Sequence, residues 1–213
     1  MRRTRIKFCG ITRSDDLAAA VSSGADALGL VFYPASPRAV TPTEAVHLLK
    51  TRPAWVSIVG LFVNAEANWV RETVRRVTLD CLQFHGEESP EYCQQFGLPW
   101  MKAIAVAPGD DVMARAAPYA DAAAILLDTY KEGVPGGTGE CFDWSLIPKE
   151  LSTPVVLAGG LTPDNVSAAI RSVRPYAVDV SGGVEVAPGR KSAEHMRRFA
   201  DAVRIADMED SGH

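Results

Sequence analysis

The sequence predicts one α/β domain, a single (β/α)8 barrel of the TIM type. Three observations carry that expectation. Short apolar runs alternate with helix-like segments from end to end, which implies a parallel sheet. Eight such strand–helix units fill the 213 residues, at the lower end of the size range of this barrel. Polar and glycine residues gather where apolar runs end and helices begin, the face on which such barrels carry their chemistry.

The elements run in order. Ile6 to Cys9 reads as the first strand. Ser14 then stands as an N-cap for a helix over Asp15 to Ser23, ended by Gly24. Asp26 to Phe32 is the second strand. Thr41-Pro42 pairs an N-cap with proline at the first helical position and opens a helix to about Lys50. Trp55 to Val63 is the third strand and Ala65 to Val77 the third helix. Asp80 to Phe84 is the fourth strand, and Ser89-Pro90 repeats the capped start for a helix to Phe96. Trp100 to Val106 and Asp111 to Ala117 form the fifth unit. Ala122 to Asp128 is the sixth strand, followed by a short, proline-interrupted helix within Asp143 to Leu151. Pro154 to Ala158 with Pro163 to Ser172, and Ala177 to Ser181 with Ser192 to Ala206, complete the series. The barrel is expected over residues 1–206, with an acidic, frayed tail at 207–213. An open doubly wound sheet is the alternative. It would more often carry a GxGxxG turn after the first strand, where this chain has Cys9-Gly10-Ile11-Thr12. The longest loop, Thr129 to Phe142, is rich in glycine and long enough to expect a functional role.

Composition narrows the function classes. With 47% hydrophobic and 23% charged residues the chain reads as soluble and globular. A net charge of −4 gives no basic face for nucleic acid. No run approaches the roughly 18 apolar residues of a membrane helix, and the apolar run near the start, broken by Lys7, is too short for a secretion signal. Cys9, Cys81, Cys93 and Cys141 show no CxxC or zinc-type spacing. Reduced thiols in a cytoplasmic protein are expected. Both a monomer and a homodimer are compatible with such a barrel.

The candidate site is read from the residues just after each strand. The glycines of Gly159-Gly160 and of Ser181-Gly182-Gly183 come after strands seven and eight, where this fold commonly binds phosphate. Glycine lets backbone N–H groups approach an oxyanion, and a helix start adds favourable partial charge; tight turns alone are the plainer alternative. Gly136-Gly137-Thr138-Gly139 lie in the loop after strand six. Cys9 and Asp128 end strands one and six, so an acid–base pair over the barrel mouth is possible. The thiol would act as base once its pKa is lowered toward neutrality. The plainer readings are a small buried hydrophobe for Cys9 and a turn former for Asp128. Lys7 lies two residues before Cys9 and shares its strand face. Asp179 lies on strand eight, which neighbours strand one on closure, so a buried Lys7–Asp179 pair beneath Cys9 is expected, either tuning the thiol or simply satisfying two inward polar groups. Arg38 offers a planar fork for a substrate carboxylate, or is an exposed loop cation. His85 could serve as ligand or base, or be a hydrogen-bonded structural residue. Cys81, Cys93 and Cys141 are read as structural.

Together these segments resemble the phosphoribosylanthranilate isomerases. Lys7-Phe8-Cys9-Gly10-Ile11-Thr12 looks like the family's opening motif, and Phe32-Tyr33 through Ser36-Pro37-Arg38 the second. Leu82-Gln83-Phe84-His85-Gly86 and Leu126-Leu127-Asp128 come next, then Gly137-Thr138-Gly139 with Phe142-Asp143-Trp144. Leu157-Ala158-Gly159-Gly160-Leu161 and Val178-Asp179-Val180-Ser181 complete a set that runs in order from about residue 6 to 192. The resemblance implies an Amadori rearrangement of N-(5-phosphoribosyl)anthranilate in tryptophan biosynthesis, without metal or organic cofactor. It implies Cys9 as general base, Asp128 as general acid and Arg38 on the anthranilate carboxylate. His85, Asp179 and the loops Gly159-Gly160 and Ser181-Gly182-Gly183 would hold the phosphorylated substrate. An acid that arrives protonated at neutral pH should be partly desolvated. One departure stands out: Gly182 replaces the family's usual serine, which removes a hydroxyl worth about 1 kcal/mol to the phosphate. Two rival enzyme readings are a pentose-phosphate epimerase, which needs metal-ligating histidines at several strand ends, and an indole-glycerol-phosphate synthase, which needs other lysines and glutamates there. A non-catalytic binder of a phosphorylated metabolite is the third rival.

Overall fold

Eight strands pair in parallel, each with its sequence neighbour, and β1 closes on β8. They are β1 Arg5–Cys9, β2 Ala27–Val31, β3 Ser57–Phe62, β4 Cys81–Phe84, β5 Trp100–Val106, β6 Ala124–Thr129, β7 Val155–Leu157 and β8 Ala177–Val180. The computed structural model describes residues 3–129, 143–148 and 151–210. Gly136-Gly137-Thr138-Gly139, Cys141 and Phe142 lie outside the described residues. Closure removes the open-sheet alternative.

The helices are α1 Ser14–Ser23, α2 Pro42–Leu48, α3 Ala67–Arg76, α4 Pro90–Gln94, α5 Val112–Ala116, α6 Val166–Val173 and α7 Ala193–Asp210. Local chemistry sets their starts. Thr41 and Glu44 form a capping box on α2. Ser89 accepts from Tyr92 N at 3.3 Å, and Asp111 from Ala114 N at 3.0 Å. α1 ends on left-handed Gly24, as its position in the sequence implies. Ser14 is the first residue of that helix rather than its cap, and Arg13 before it makes no side-chain cap.

Three stretches differ from the expected pattern. Between β6 and β7 the described residues hold a 3-10 turn, Trp144–Leu146, in place of a helix. Asp143 caps it by accepting from Ser145 N at 2.9 Å, and Pro148 two residues on cannot donate to a longer helix. α6 starts at Val166 because Asn165 holds the preceding loop, accepting from Thr162 N at 2.8 Å and donating to Gly160 O at 2.9 Å. α7 runs beyond Ala206 to Asp210, where Asp207 accepts from Thr4 N and Thr4 Oγ1 at 2.8 and 2.6 Å. That bond ties the last helix to the start of β1, so the chain at 207–210 is ordered helix rather than frayed tail. After β8 the chain makes a 3-10 turn, Gly182–Val184, then a small hairpin of β9 Glu185–Ala187 and β10 Arg190–Lys191.

Side chains alternate across each strand. Ile6 and Phe8 face the helices and join the outer core with Phe62, Phe84 and Phe199, all of them buried. Lys7 and Cys9 fall on the other face. Inside the barrel, Val59, Met101, Ala103, Ala124, Leu126 and Val156 fill the base, while Cys9, Val31 and Leu61 cluster toward the mouth. Among the described residues no helix is long and apolar enough to cross a membrane.

Candidate active site

The site is built from strand ends. Cys9 closes β1, Asp128 lies one residue before the end of β6, and His85 comes directly after β4. Cys9, Arg38, His85, Asp128, Gly159, Gly160, Asp179, Ser181, Gly182 and Gly183 line one pocket at the C-terminal ends of the strands. His47 and His195 lie on α2 and α7, on the outer ring. The metal-binding strand ends of an epimerase are therefore not assembled among the described residues.

Asp128 is 6% exposed, so the partial desolvation expected of it is present. Its Oδ1 accepts from Thr129 N at 2.8 Å, and its Oδ2 lies 3.3 Å from His85 Nε2. His85 Nδ1 in turn meets Gln83 Nε2 at 2.9 Å. Gly159 sits beside this group with φ 82°, and a Cβ there would fall 2.5 Å from Thr129 N. Only glycine allows β7 to approach the acid so closely.

Beneath Cys9, Lys7 Nζ and Asp179 Oδ2 form a buried pair at 2.8 Å. Register places them side by side on β1 and β8, so the expected pair is present. Asp179 Oδ1 is buried with no partner among the described residues.

The thiol departs from its expected state. Burial pushes Cys9 up, and Asp179 adds to that shift. Lys7 and, further off, Lys191 pull it down without prevailing. The net direction is upward, opposite to the lowering that a base at neutral pH needs. The main reason is burial, which penalises the thiolate more than Lys7 favours it, and Asp179 offsets part of the lysine's pull.

Arg38 reaches the pocket but is not a free cation. Its Nε and Nη2 donate to Glu185 Oε1 and Oε2, both at 2.8 Å. Lys191 Nζ also donates to Glu185 Oε1 at 2.8 Å. Burial opposes ionisation of Glu185, but the hydrogen bonds from Arg38 and Lys191 outweigh it and hold its carboxyl below its ordinary value. Glu185 and Lys191 belong to the hairpin after β8, an element that periodicity in the sequence does not reveal.

Glycines of the loops after β7 and β8 form a further wall of the pocket. Ser181 Oγ donates to Cys9 O at 3.0 Å and lies 3.3 Å from Lys191 Nζ, so it braces β1 and the hairpin. A Cβ on Gly183 would fall 1.9 Å from Leu161 O, so the loops after β7 and β8 touch there. The first amides of a helical turn have no intrahelical acceptor. Those of Gly182 and Gly183 open such a turn at the pocket and suit an anion. Val31, Tyr33, Leu61 and Val63 add an apolar wall, a surface for an aromatic ring.

The family described as N-(5'phosphoribosyl)anthranilate (PRA) isomerase matches residues 6–202. Proteins named N-(5'-phosphoribosyl)anthranilate isomerase from Pseudomonas aeruginosa and Nitrosococcus oceani are 57% and 55% identical to this chain. The matches cover 96% and 94% of it, and 97% and 98% of those proteins. A crystal structure of phosphoribosyl anthranilate isomerase from Thermotoga maritima is 42% identical with a TM-score of 0.88, covering 94% of this chain and 98% of its own. A second structure, in complex with reduced 1-(o-carboxyphenylamino)-1-deoxyribulose 5-phosphate, is 40% identical with a TM-score of 0.85 at the same coverage. The chain therefore belongs to the N-(5'-phosphoribosyl)anthranilate isomerase family.

Proposed function

We propose that this chain isomerises N-(5-phosphoribosyl)anthranilate to 1-(2-carboxyphenylamino)-1-deoxyribulose 5-phosphate by general acid–base catalysis, as a step of tryptophan biosynthesis. One observation carries the mechanism: two buried proton-exchanging groups, Cys9 and Asp128, line the same pocket as a glycine wall suited to phosphate.

Asp128 gives its proton to the furanose ring oxygen. The C1–O bond breaks, and the anilino nitrogen lone pair forms an iminium. Cys9, as thiolate, then takes the proton from C2. The C–H electron pair becomes a C1–C2 double bond, and the iminium electrons return to nitrogen. The enolamine gains a proton at C1 and loses one from the C2 hydroxyl, giving the ketone. Because burial raises the thiol, the order matters. The iminium places a new positive charge beside Cys9 after the acid step, in a site where charges interact strongly, and favours the thiolate when it is needed.

Gly159, Gly160, Gly182 and Gly183 would hold the phosphate through backbone amides. Arg38 would meet the anthranilate carboxylate through Nη1, the donor that Glu185 does not take. The apolar wall would receive the ring. A cytoplasmic location suits the free thiols of Cys9, Cys81 and Cys93.

The test is turnover of freshly made substrate, followed by loss of anthranilate fluorescence, in wild type, Cys9→Ser and Asp128→Asn. General acid–base groups contribute about 10²–10⁴-fold each, so both substitutions should cost that much in kcat. A folded wild type that binds a phosphorylated product analogue without turning substrate over would make this chain a binder instead.

A further inference from the structure

We propose that Gln83 is a positioning residue for the acid: it holds His85 as the neutral imidazole protonated at Nε2, and thereby leaves Asp128 free to carry its proton. The inference rests on the assignment of Asp128 as the acid.

Gln83 stands two residues before His85, on the same face of β4. It is fully buried, with Leu61 of β3 and Met101 of β5 beside it in register. Its Nε2 lies 2.9 Å from His85 Nδ1. An amide nitrogen has protons to give and no lone pair to offer. Nδ1 must therefore accept, and the ring proton resides on Nε2, 3.3 Å from Asp128 Oδ2. Gln83 Oε1 is buried with no partner among the described residues. A buried carbonyl without a donor is a standing cost, one that an apolar side chain of the same size would avoid. What the polar residue brings is its N–H.

The consequence comes from the charges around the ring. Asp128 on β6 is the carboxylate facing His85. Lys102 on β5 lies behind the loop, with Nζ on the carbonyl oxygens of Phe84 and Gly86, and is matched by Glu88 Oε2 at 3.1 Å. Cys9, Arg38 and the Lys7–Asp179 pair line or underlie the rest of the pocket. A histidine facing a buried carboxylate would ordinarily take a proton and form an ion pair. Asp128 would then be locked as carboxylate with nothing to deliver. An imidazolium needs N–H at both nitrogens, and Gln83 sets a donor against the one at Nδ1. The neutral ring sets Nε2–H 3.3 Å from Oδ2 while Thr129 N–H holds Oδ1, and Asp128 keeps lone pairs for the proton it delivers. Once that proton has gone, Nε2–H faces the new carboxylate charge and can form a charge-assisted hydrogen bond to it.

The test is ¹⁵N–¹H correlation of the histidine rings in the full, substrate-free chain, with His85 identified by the signals lost in His85→Asn. At neutral pH the wild type should show Nδ1 without a proton and Nε2 with one. Gln83→Glu replaces the donor by an acceptor and should protonate both nitrogens, with kcat down by about ten- to a hundredfold and KM little changed. Gln83→Met keeps the volume, removes the donor and should let the ring proton exchange between Nδ1 and Nε2. A wild-type His85 protonated at Nδ1, or at both nitrogens, overturns the proposal whether or not any variant folds. So does Gln83→Glu with wild-type kcat. If Asp128→Asn retained turnover while the ring nitrogens behaved as stated, the acid assignment would fall and the tautomer assignment would stand.

Discussion

Replacing either member of the Lys7–Asp179 pair separates what it does for the fold from what it does for the thiol. The charges are 2.8 Å apart, with side chains 4% and 8% exposed. At an effective dielectric constant of about 20 their gross attraction is ~6 kcal/mol, set against the cost of taking both ions out of water. Removing one partner strands the other, which typically costs about 3–5 kcal/mol. For a chain of this length each kcal/mol lowers Tm by about 2–4 °C, so Lys7→Met and Asp179→Asn should each melt roughly 6–20 °C early. The double variant Lys7→Met/Asp179→Leu should recover most of that loss. Cys9 must respond with opposite signs. Lys7 pulls the thiol down and Asp179 pushes it up. Lys7→Met should therefore shift the onset of thiolate reactivity to higher pH, and Asp179→Asn to lower pH. The assay is the pH dependence of iodoacetamide alkylation, with Cys9→Ser subtracting the remaining cysteines. Shifts of the same sign in both variants, or none in either, would refute the claim that the pair sets the thiol.

Glu185 carries a stability prediction with a defined sign. Its pKa is lowered on folding, so its contribution is fully present above the ordinary glutamate value of about 4.3 and is lost as pH falls through the lowered folded value. Glu185→Gln should lose about 3 kcal/mol at neutral pH, and its denaturant midpoint should fall less steeply on acidification than that of wild type. Gly183→Ala forces the loops after β7 and β8 apart, since the added carbon would lie 1.9 Å from Leu161 O; KM should rise at least about tenfold, with far-UV circular dichroism unchanged. Gly182→Ser supplies a hydroxyl at the phosphate wall, worth about 1 kcal/mol. A KM lowered by up to about fivefold at constant kcat is expected, and an unchanged KM would place the phosphate elsewhere.

How far the sequence can be read depends on the kind of relation involved. The strand–helix series is legible because periodicity and caps are local: Thr41-Pro42, Ser89-Pro90 and Gly24 mark boundaries that the structure keeps. The stretch after Asp143 misleads because an aspartate that caps a helix equally caps a single turn, and Pro148 decides between them. Lys7 and Asp179 are legible at a separation of 172 residues, since barrel closure fixes which strands adjoin and a period of two fixes which faces meet. Arg38 and Glu185, 147 residues apart, are not. Both lie on loops, where topology sets no register, and Glu185 reaches the arginine through a hairpin with no periodic signature. The titration of Cys9 is harder again. Lys7 and Asp179 are legible as its neighbours, but the depth of burial that raises the thiol despite the lysine is not. Gln83 shows the same boundary from the other side. Its place beside His85 on β4 is written in the spacing, but which end of the amide meets the ring is not. That orientation decides whether the histidine is a neutral donor to Asp128 or a cation that disables it.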